Sequence, residues 1–207
     1  MARLILIRHG QTDYNLEKRY CGFSDPPLNA QGIWQAEKLA DRLNGLKIDK
    51  VYSSDLKRAR QTAEIVFRDI LIEKSTDFRE MNFGIFEGLG YEMIIKEYPH
   101  LYSEWINSPA KIKIPGGEGL IDLKRRVLEK LASILSVHVD DTIAIVSHAG
   151  PIRVILCNGL GYGLKIFWQI EQEPCALNII DYSEARSPIV VARNDTAHLF
   201  VKEALRP

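Results

Sequence analysis

The sequence predicts an α/β protein, a three-layer α/β/α sandwich in which helices cover both faces of a mostly parallel central sheet. Short apolar segments typical of strands alternate along the chain with amphipathic segments typical of helices. The 207 residues contain no internal repeat, no low-complexity tract and no long linker. We therefore predict a single domain over residues 1–207.

The first strand and the first long helix are predicted from the N-terminal quarter. Four apolar residues at positions 4–7 predict a strand that is buried on both faces, which suits a central place in the sheet. Asn29 is predicted to cap a helix that ends at the Asn44-Gly45 pair. Its apolar residues follow at helical spacing: Ala36, Leu39, Ala40 and Leu43.

Residues 51–53 are predicted to form a second strand, and Ser54 is predicted to cap the helix after it. The apolar stripe of that helix is Leu56, Ala59, Ala63, Val66 and Phe67. A further strand is predicted at residues 70–74. Between residues 78 and 115 the pattern weakens, and only short helical pieces are expected among scattered aromatic residues and prolines.

The C-terminal half returns to clear patterns. A long amphipathic helix is predicted between Leu120 and Leu135, and a buried strand at residues 142–147. Pro151 fits the first turn of the following helix. Two β-rich runs, around 176–182 and 188–193, complete the predicted elements.

Charge and cysteine content exclude several classes of protein. The chain has 27 basic and 27 acidic residues, without the basic excess that nucleic-acid binding normally requires. The three cysteines, Cys21, Cys157 and Cys175, form no C-x-x-C pair, which favours a reduced, cytosolic protein. No apolar run is long enough for a signal peptide or a membrane span. We expect a cytoplasmic protein with no nucleic-acid or membrane partner, and leave a homodimer open.

Candidate functional residues follow three of the predicted strands. Arg8 and His9 come directly after the first strand, Arg58 lies one turn into the helix after the second, and His148 follows the strand at 142–147. The carboxyl ends of strands in such a sheet meet at one edge, where helix N-termini also attract anions. Two arginines and two histidines there predict a phosphate site.

Each of these residues also has an ordinary structural explanation. Arg8 and His9 could form a polar strand end, Arg58 could be a solvated helix charge, and His148 could cap a helix. Their coincidence at three strand ends favours a functional site. No third ligand with a zinc-site spacing accompanies the histidines. The glycines at 116–119 and 159–163 fit neither a P-loop nor a dinucleotide fingerprint, so no metal and no cofactor are predicted.

The octet at residues 8–15, R-H-G-Q-T-D-Y-N, resembles the R-H-G-x-[ST]-x-x-N signature of the histidine phosphatase superfamily, the phosphoglycerate mutase-like proteins. The resemblance continues in the family's order over roughly the whole chain, and Phe86 stands where a tryptophan is common. The further matching segments are 27–36, 52–59, Glu80 with 83–88, 116–118 and 147–150. The fold that this resemblance implies is the phosphoglycerate mutase-like sandwich.

The resemblance also implies a role for each site residue. His9 would be the nucleophile that forms a phosphohistidine, while Arg8, Arg58 and the catalytic His148 hold the phosphoryl oxygens and Asn15 assists. Glu80 would donate a proton to the leaving alkoxide, although the residues alone do not distinguish Glu80 from Glu87 or Asp77. Weaker substrate contacts are implied at Gln11, Cys21 and Gly22.

A metal-independent phosphomonoesterase acting on a small phosphorylated metabolite is the favoured function. No arginine occurs between Arg79 and Arg125, where the family's cofactor-dependent phosphoglycerate mutases carry a phosphate clamp, so water is favoured as acceptor. Trp105, the 115–118 stretch and the 194–199 ending resemble α-ribazole phosphatases of cobalamin biosynthesis, and α-ribazole 5'-phosphate is the leading substrate. His198 is expected to be a surface or supporting residue.

The alternatives are a phosphoglycerate mutase and a phosphoserine or broad-specificity phosphatase, because the last two share these substrate-side features. A non-catalytic relative that only binds phosphorylated ligands is the least favoured reading. Such a relative would usually lack the nucleophile or a phosphate-binding arginine, and both are present here together with Glu80.

Overall fold

A computed structural model describes residues 1–183 and 185–200. Its sheet has six strands in the order β3-β2-β4-β1-β5-β6. Strands β1, β2, β3 and β4 are parallel, and β5 is antiparallel to both of its neighbours, so among the described strands only β5 runs against the rest. The strands are β1 (Ala2–Arg8), β2 (Lys50–Ser54), β3 (Ile72–Ser75), β4 (Thr142–Ser147), β5 (Leu177–Ser183) and β6 (Arg186–Asp195).

The helices connect the strands and cover the sheet. They are α1 (Asp13–Leu16), α2 (Ala30–Leu43), α3 (Lys57–Val66), α4 (Tyr91–Glu97), α5 (Pro99–Asn107), α6 (Leu120–Leu135) and α7 (Ala149–Gly159). Short 3₁₀ helices lie at Thr76–Phe78, Gly84–Phe86, Gly163–Gln169 and Ala197–Leu199. No helix in the described part of the chain is both long and apolar enough to cross a bilayer.

Two cores pack against the opposite faces of the sheet, which confirms the predicted α/β/α sandwich. Alternate residues of a strand face opposite sides, and β1 divides accordingly: Leu4 and Leu6 face one core, and Ile5 and Ile7 the other. Helices α6 and α7 complete the first core, and α2 and α3 the second. All four side chains are fully buried, so the prediction of a central strand is confirmed.

Helix α2 begins and ends as the sequence predicts. The side chain of Asn29 accepts a hydrogen bond from the Gly32 amide at 2.9 Å, which satisfies a free N–H of the first turn. Asn44 is the last capping residue, and Gly45 follows with φ of +81°, a left-handed conformation that glycine adopts without strain. The predicted bounds of α6 and the place of Pro151 in the first turn of α7 are also confirmed.

The prediction that Ser54 caps the second helix is wrong. Ser54 is the last residue of β2, and α3 begins three residues later at Lys57, after Leu56, which has no side chain able to cap it. The Lys57 amide instead donates to the Asp25 carboxylate at 2.5 Å, so a distant loop caps this helix. The Ser54 hydroxyl is thereby left to bind His148 at 2.8 Å.

The segment with the weak sequence pattern forms an aromatic cluster beside the sheet. Trp105 of α5 is fully buried at its centre. The ring centroids of Tyr20, Phe83, Phe86, Tyr102 and Trp168 lie between 4.9 and 6.1 Å from that of Trp105. This packing joins residues that are far apart in the chain, which explains why local periodicity is weak there.

Candidate active site

The structure brings the predicted residues of three strand ends together. His9 follows β1, Arg58 lies in the first turn of α3 after β2, and His148 follows β4 as the N-terminal cap of α7. The two histidine rings are 5.0 Å apart, and Arg58 and His148 are fully buried while His9 is 4% exposed. The centre of this edge is therefore largely shielded from bulk water.

His9 is held in one tautomer. Its Nδ1 lies 2.7 Å from the carbonyl oxygen of Gly10, and a carbonyl can only accept, so Nδ1 carries the proton. The lone pair of Nε2 then faces Arg58, whose Nε donates to it at 3.3 Å. Burial lowers the pKa of His9 well below 6.5, and the charges of Arg58 and Arg8 lower it further. His9 is consequently neutral and able to act as a nucleophile at Nε2.

Backbone carbonyls fix the guanidinium of Arg58. Its Nη1 donates to Ser24 at 2.7 Å, and its Nη2 donates to Gly22 at 2.8 Å and to Cys21 at 3.2 Å. Carbonyl oxygens carry no net charge, and no carboxylate of the described residues pairs with Arg58. The positive charge of Arg58 is therefore available to bind an anion. Cys21 and Gly22, which were predicted as weak substrate contacts, here bind Arg58 through their backbones.

Glu87 organises the loop that supplies those carbonyls. Its carboxylate accepts hydrogen bonds from the amides of Gly22 at 3.1 Å and Phe23 at 2.8 Å, and from the Ser24 hydroxyl at 2.8 Å. The Phe83 amide donates to it as well, at 3.3 Å. Four donors occupy this carboxylate, so its contacts are those of a residue that shapes the loop.

His148 is the third residue of the central group, in which Arg58 contacts both His9 and His148. Its Nδ1 accepts a hydrogen bond from Arg58 Nε at 3.2 Å, so in the neutral ring the proton is on Nε2, which donates to Ser54 Oγ. Burial lowers the pKa of His148 well below 6.5, with further contributions from Arg58 and His9. Sequence reasoning placed Ser54 at a helix cap and did not anticipate this contact.

Arg8 supplies the second guanidinium. Its Nη1 donates to the carbonyl of Gln172, while its buried Nε has no hydrogen-bond partner within residues 1–183 and 185–200. Burial lowers the pKa of Arg8 to about 10, so the side chain remains a cation at neutral pH. A buried donor without a partner is costly unless a ligand satisfies it. Arg8 is therefore suited to bind an anion.

Glu80 lies where α7 meets the acid loop, the segment 80–88 that also carries Glu87. Both of its carboxylate oxygens are 3.1 Å from the Gly150 amide, and Oε1 also accepts from the Met81 amide at 2.8 Å. A side chain at Gly150 would collide with Glu80 Oε1. Arg126 of α6 fixes the backbone by donating to the Glu80 carbonyl at 2.9 Å. Asp77, the third candidate carboxylate, is tied to Ser75 at 3.0 Å.

Two predicted substrate contacts shape the loop after His9. The Asn15 side-chain oxygen accepts from the amide and the hydroxyl of Thr12 at 3.0 Å, which forms the capping box of α1. The Gln11 side-chain oxygen accepts from Asn29 Nδ2 at 3.0 Å. Both residues are half-buried, and Nδ2 of Asn15 donates to none of the residues that the structure describes.

Sequence reasoning did not identify Arg126, whose guanidinium fixes the backbone around Glu80. The position of Arg126 next to the buried Leu123 and Val127 of α6 was a usable signal for an inward-facing charge. His198 is buried beside Arg42 at the far end of α2, in a supporting position. Across the described ranges, no cluster of three His, Cys, Asp or Glu side chains could hold a metal ion.

Comparison with known proteins gives a consistent result. The model of the histidine phosphatase superfamily (branch 1) matches residues 4–196. Phosphoserine phosphatase 1 of Hydrogenobacter thermophilus is 33% identical over 201 residues, which cover 96% of this chain and 95% of that protein. "Probable phosphoglycerate mutase GpmB" of Escherichia fergusonii is 32% identical with the same coverage. The α-ribazole phosphatase of Shigella flexneri superposes with a TM-score of 0.86 at 29% identity, over 94% of this chain and 96% of that one.

Proposed function

The chain belongs to the histidine phosphatase superfamily, branch 1, and on that basis we propose that it hydrolyses phosphomonoesters of small metabolites through a phosphohistidine at His9. The observation that carries this proposal is the state of His9, a buried and neutral imidazole. Its Nε2, which carries the lone pair, lies 3.3 Å from Nε of Arg58, a guanidinium that no carboxylate of the described residues neutralises. A phosphoryl group bound by Arg58 and Arg8 would meet this lone pair directly.

The reaction has two steps. Nε2 of His9 attacks phosphorus, the bond to the alkoxide oxygen breaks, and protonated Glu80 gives its proton to that oxygen. Water then attacks the phosphohistidine, the Glu80 carboxylate takes the water proton, and His9 leaves as the neutral imidazole with inorganic phosphate as product. Arg8, Arg58 and His148 stabilise the charge on the three equatorial phosphoryl oxygens.

The acceleration that hydrolysis requires, compared with what one general acid supplies, supports these roles. Hydrolysis of a phosphate monoester can require an acceleration near 10²¹, which corresponds to about 28 kcal/mol. A single general acid contributes about 10²–10⁴. Glu80 alone is therefore insufficient, and most of the stabilisation must come from covalent catalysis and from the fixed cations around the phosphate.

Water is the proposed phosphoryl acceptor. A mutase must hold a second phosphate while it transfers the first, and the segment between Arg79 and Arg125 carries lysines but no arginine. Phosphoglycerate mutase activity is the second candidate, since a relative of 32% identity carries that name. Release of phosphate from 3-phosphoglycerate, compared with its conversion to 2-phosphoglycerate, separates the two activities.

We propose α-ribazole 5'-phosphate as the first substrate to test. This proposal is supported by the likeness to the Shigella flexneri α-ribazole phosphatase, and by the sequence around Trp105 and at 194–199. Phosphoserine is the main competitor, given the name of the 33% identical relative. A panel of phosphorylated metabolites that includes both compounds and 3-phosphoglycerate would rank them by kcat/KM.

The catalytic proposal is tested by replacing His9. His9→Ala should abolish turnover and remove the acid-labile, base-stable phosphoenzyme that is trapped when wild-type protein is quenched with labelled substrate. His100→Ala, at an exposed histidine of α5, is the matched control and should leave both signals intact. Turnover by His9→Ala above a few per cent of wild type would remove His9 from the nucleophile role.

A further inference from the structure

A third arginine lies next to the phosphate site. Arg153 is one turn beyond Gly150 on α7, so its side chain leaves the helix on the same side as the Gly150 amide that binds Glu80. Its Nε donates to the carbonyl of Ile170 at 2.7 Å. Its guanidinium lies 5.7 Å from the ring centres of both Phe167 and Trp168. The anchored Nε and the two aromatic rings fix this side chain in place.

Arg153 and Arg8 are neighbours along one segment of backbone. The carbonyl of Ile170 binds Arg153, and the carbonyl of Gln172, two residues later, binds Arg8. Burial is the main cause that lowers the pKa of Arg8, and the charge of Arg153 lowers it further, so the two guanidinium groups lie within electrostatic reach of each other. Among the carboxylates, Glu80 has the largest effect on the pKa of Arg153, which it raises.

Arg153 has no anionic partner in the protein. Within the described residues, no carboxylate comes within ion-pair distance of it, and its Nη1 and Nη2 make no hydrogen bond. The side chain is half-buried, and burial is the main cause that lowers its pKa. A half-buried guanidinium with two free nitrogen atoms is stabilised when an anion binds it. A bound ligand can provide that anion.

We propose that Arg153 binds the carboxylate of the substrate while Arg8 and Arg58 bind its phosphate. This inference rests on the proposed function and names its substrate class: short phosphomonoesters that carry a carboxylate two or three carbons from the phosphate oxygen. One planar guanidinium matches one carboxylate with two parallel hydrogen bonds. Because Arg153 and Arg8 are anchored two residues apart on one segment and their charges interact, a carboxylate and a phosphate on the same small molecule can bind both arginines.

The inference favours phosphoserine and 3-phosphoglycerate over α-ribazole 5'-phosphate, the substrate proposed first from the likeness to known proteins. Phosphoserine and 3-phosphoglycerate have the required carboxylate, and α-ribazole 5'-phosphate does not. Two matched pairs isolate this group: phosphoserine against phosphoethanolamine, and 3-phosphoglycerate against glycerol 3-phosphate. Wild-type protein should prefer the carboxylate member of each pair by about 10-fold or more in kcat/KM, the effect expected of a charge-assisted pair of hydrogen bonds.

Replacing Arg153 should remove that preference selectively. Arg153→Met keeps an unbranched side chain against Trp168, and it should lower kcat/KM for the carboxylate substrates by about 10- to 100-fold. Glycerol 3-phosphate and p-nitrophenyl phosphate should change by much less. Arg153→Lys should retain part of the preference. Arg125→Met is the matched control, because Arg125 lies on the exposed side of α6 with 68% of its side chain accessible.

The experiment separates this inference from the phosphatase proposal. Hydrolysis of p-nitrophenyl phosphate reports the chemistry without any carboxylate. Calorimetric binding of 3-phosphoglycerate and glycerol 3-phosphate to His9→Ala reports the carboxylate site without turnover. An equal loss on both members of a pair in Arg153→Met, or equal affinity of His9→Ala for 3-phosphoglycerate and glycerol 3-phosphate, would overturn the role of Arg153. Thermal unfolding at the wild-type temperature shows that the variant is folded.

Discussion

Arg58 and Arg8 are held by backbone carbonyls, and this choice of partner matters for their chemistry. A carboxylate would hold a guanidinium as firmly, but it would also neutralise the charge that a phosphoryl group needs. Three carbonyls on Arg58 and one on Arg8 restrict the rotamers and leave the charge in place. The same cations hold His9 in its neutral form, so one arrangement serves both the nucleophile and the phosphate.

The two glutamates of the acid loop should respond differently to the leaving group. A sugar or serine alkoxide leaves poorly without a proton, whereas nitrophenolate hardly needs one. Glu80→Gln should therefore slow alkyl phosphates by about 10²–10⁴ and p-nitrophenyl phosphate by much less. Parallel measurement of kcat/KM on one alkyl and one aryl ester is the appropriate assay.

Glu87→Gln provides the comparison for that result. Each carboxylate oxygen of Glu87 accepts from two of the four donors, so in either amide orientation the new NH2 group would face two donors, which disturbs the loop that holds Arg58. Both ester classes should then slow by a similar factor, about 10- to 100-fold. A leaving-group dependence in Glu87→Gln and none in Glu80→Gln would mean that Glu80 is not the proton donor.

Activity is expected to survive exhaustive chelation. Arg8, Arg58 and His148 provide the fixed donors that stabilise the phosphoryl oxygens, so the proposed steps need no divalent ion. Hydrolysis of p-nitrophenyl phosphate should be the same before and after treatment with EDTA. A loss that added zinc or magnesium restores would show that the arginines are not sufficient.

Some site residues could be predicted from sequence and others could not. Arg8 ends β1, and His9 and His148 directly follow β1 and β4, so a strand prediction alone brings them to one edge. The roles of Glu80 and Glu87 depend on which backbone amides face each carboxylate, and this is decided by loop packing. Arg153 could not be singled out from the sequence, because only the tertiary structure shows that no carboxylate among the described residues pairs with it.

Helices and strands with a clear local pattern of apolar residues could be predicted from the sequence, and those without one could not. Strand β1 and helix α6 carry uninterrupted apolar periodicity, and their predictions are confirmed within a few residues. The start of α3 was predicted wrongly because its capping carboxylate, Asp25, comes from another loop. Helices α4 and α5 are short, and Trp105 of α5 packs against Tyr20 and Trp168, which lie far away in sequence.

The packing of α2 against the loop after β1 predicts a steric effect at Gly32. Alanine normally favours a helix over glycine by up to about 1 kcal/mol. At Gly32, however, a Cβ atom would lie 2.1 Å from the Gln11 carbonyl oxygen, which is backbone and cannot move alone. Gly32→Ala should therefore lower the free energy of unfolding by about 1–3 kcal/mol and reduce kcat/KM by displacing the loop next to His9.

Gly90→Ala is the matched control for this effect. A Cβ atom at Gly90 would have no neighbour closer than the Lys18 carbonyl at 4.0 Å, and its φ of −83° suits any residue. Its stability, measured by urea denaturation, should change by less than about 1 kcal/mol. A Gly32→Ala protein as stable and active as wild type would contradict the close approach of α2 to this loop.

For the molecule as a whole, the buried histidines predict a pH-dependent stability. The pKa values of His9 and His148 are far below 6.5 in the folded state, and burial lowers that of His198 as well. Below pH 6.5 the unfolded chain takes up protons that the folded protein does not. The free energy of unfolding should therefore fall as pH decreases from 6.5, by at most about 1.4 kcal/mol per histidine per pH unit.

Urea denaturation between pH 7.5 and 4.5 measures this effect apart from that of the carboxylates. The folded-state pKa of Asp195 is lowered to about 2 by Arg42, and those of Asp55 and Asp181 also lie below 3.8, so their contributions are lost only at lower pH. His148→Asn should flatten the profile. A stability that does not change over this interval would contradict the neutral, buried state of the histidines.

The central position of β1 has a consequence for synthesis on the ribosome. Its partners β4 and β5 begin at Thr142 and Leu177, so about 130 further residues must be made after β1 before β4 can pair with it. At about 5–20 residues per second that interval is roughly 7–30 s. During this time the apolar stretch at residues 4–7 has no sheet partner, and nascent-chain chaperones are the expected protection. His9 is translated well before His148, and it stays inactive until His148 has been made.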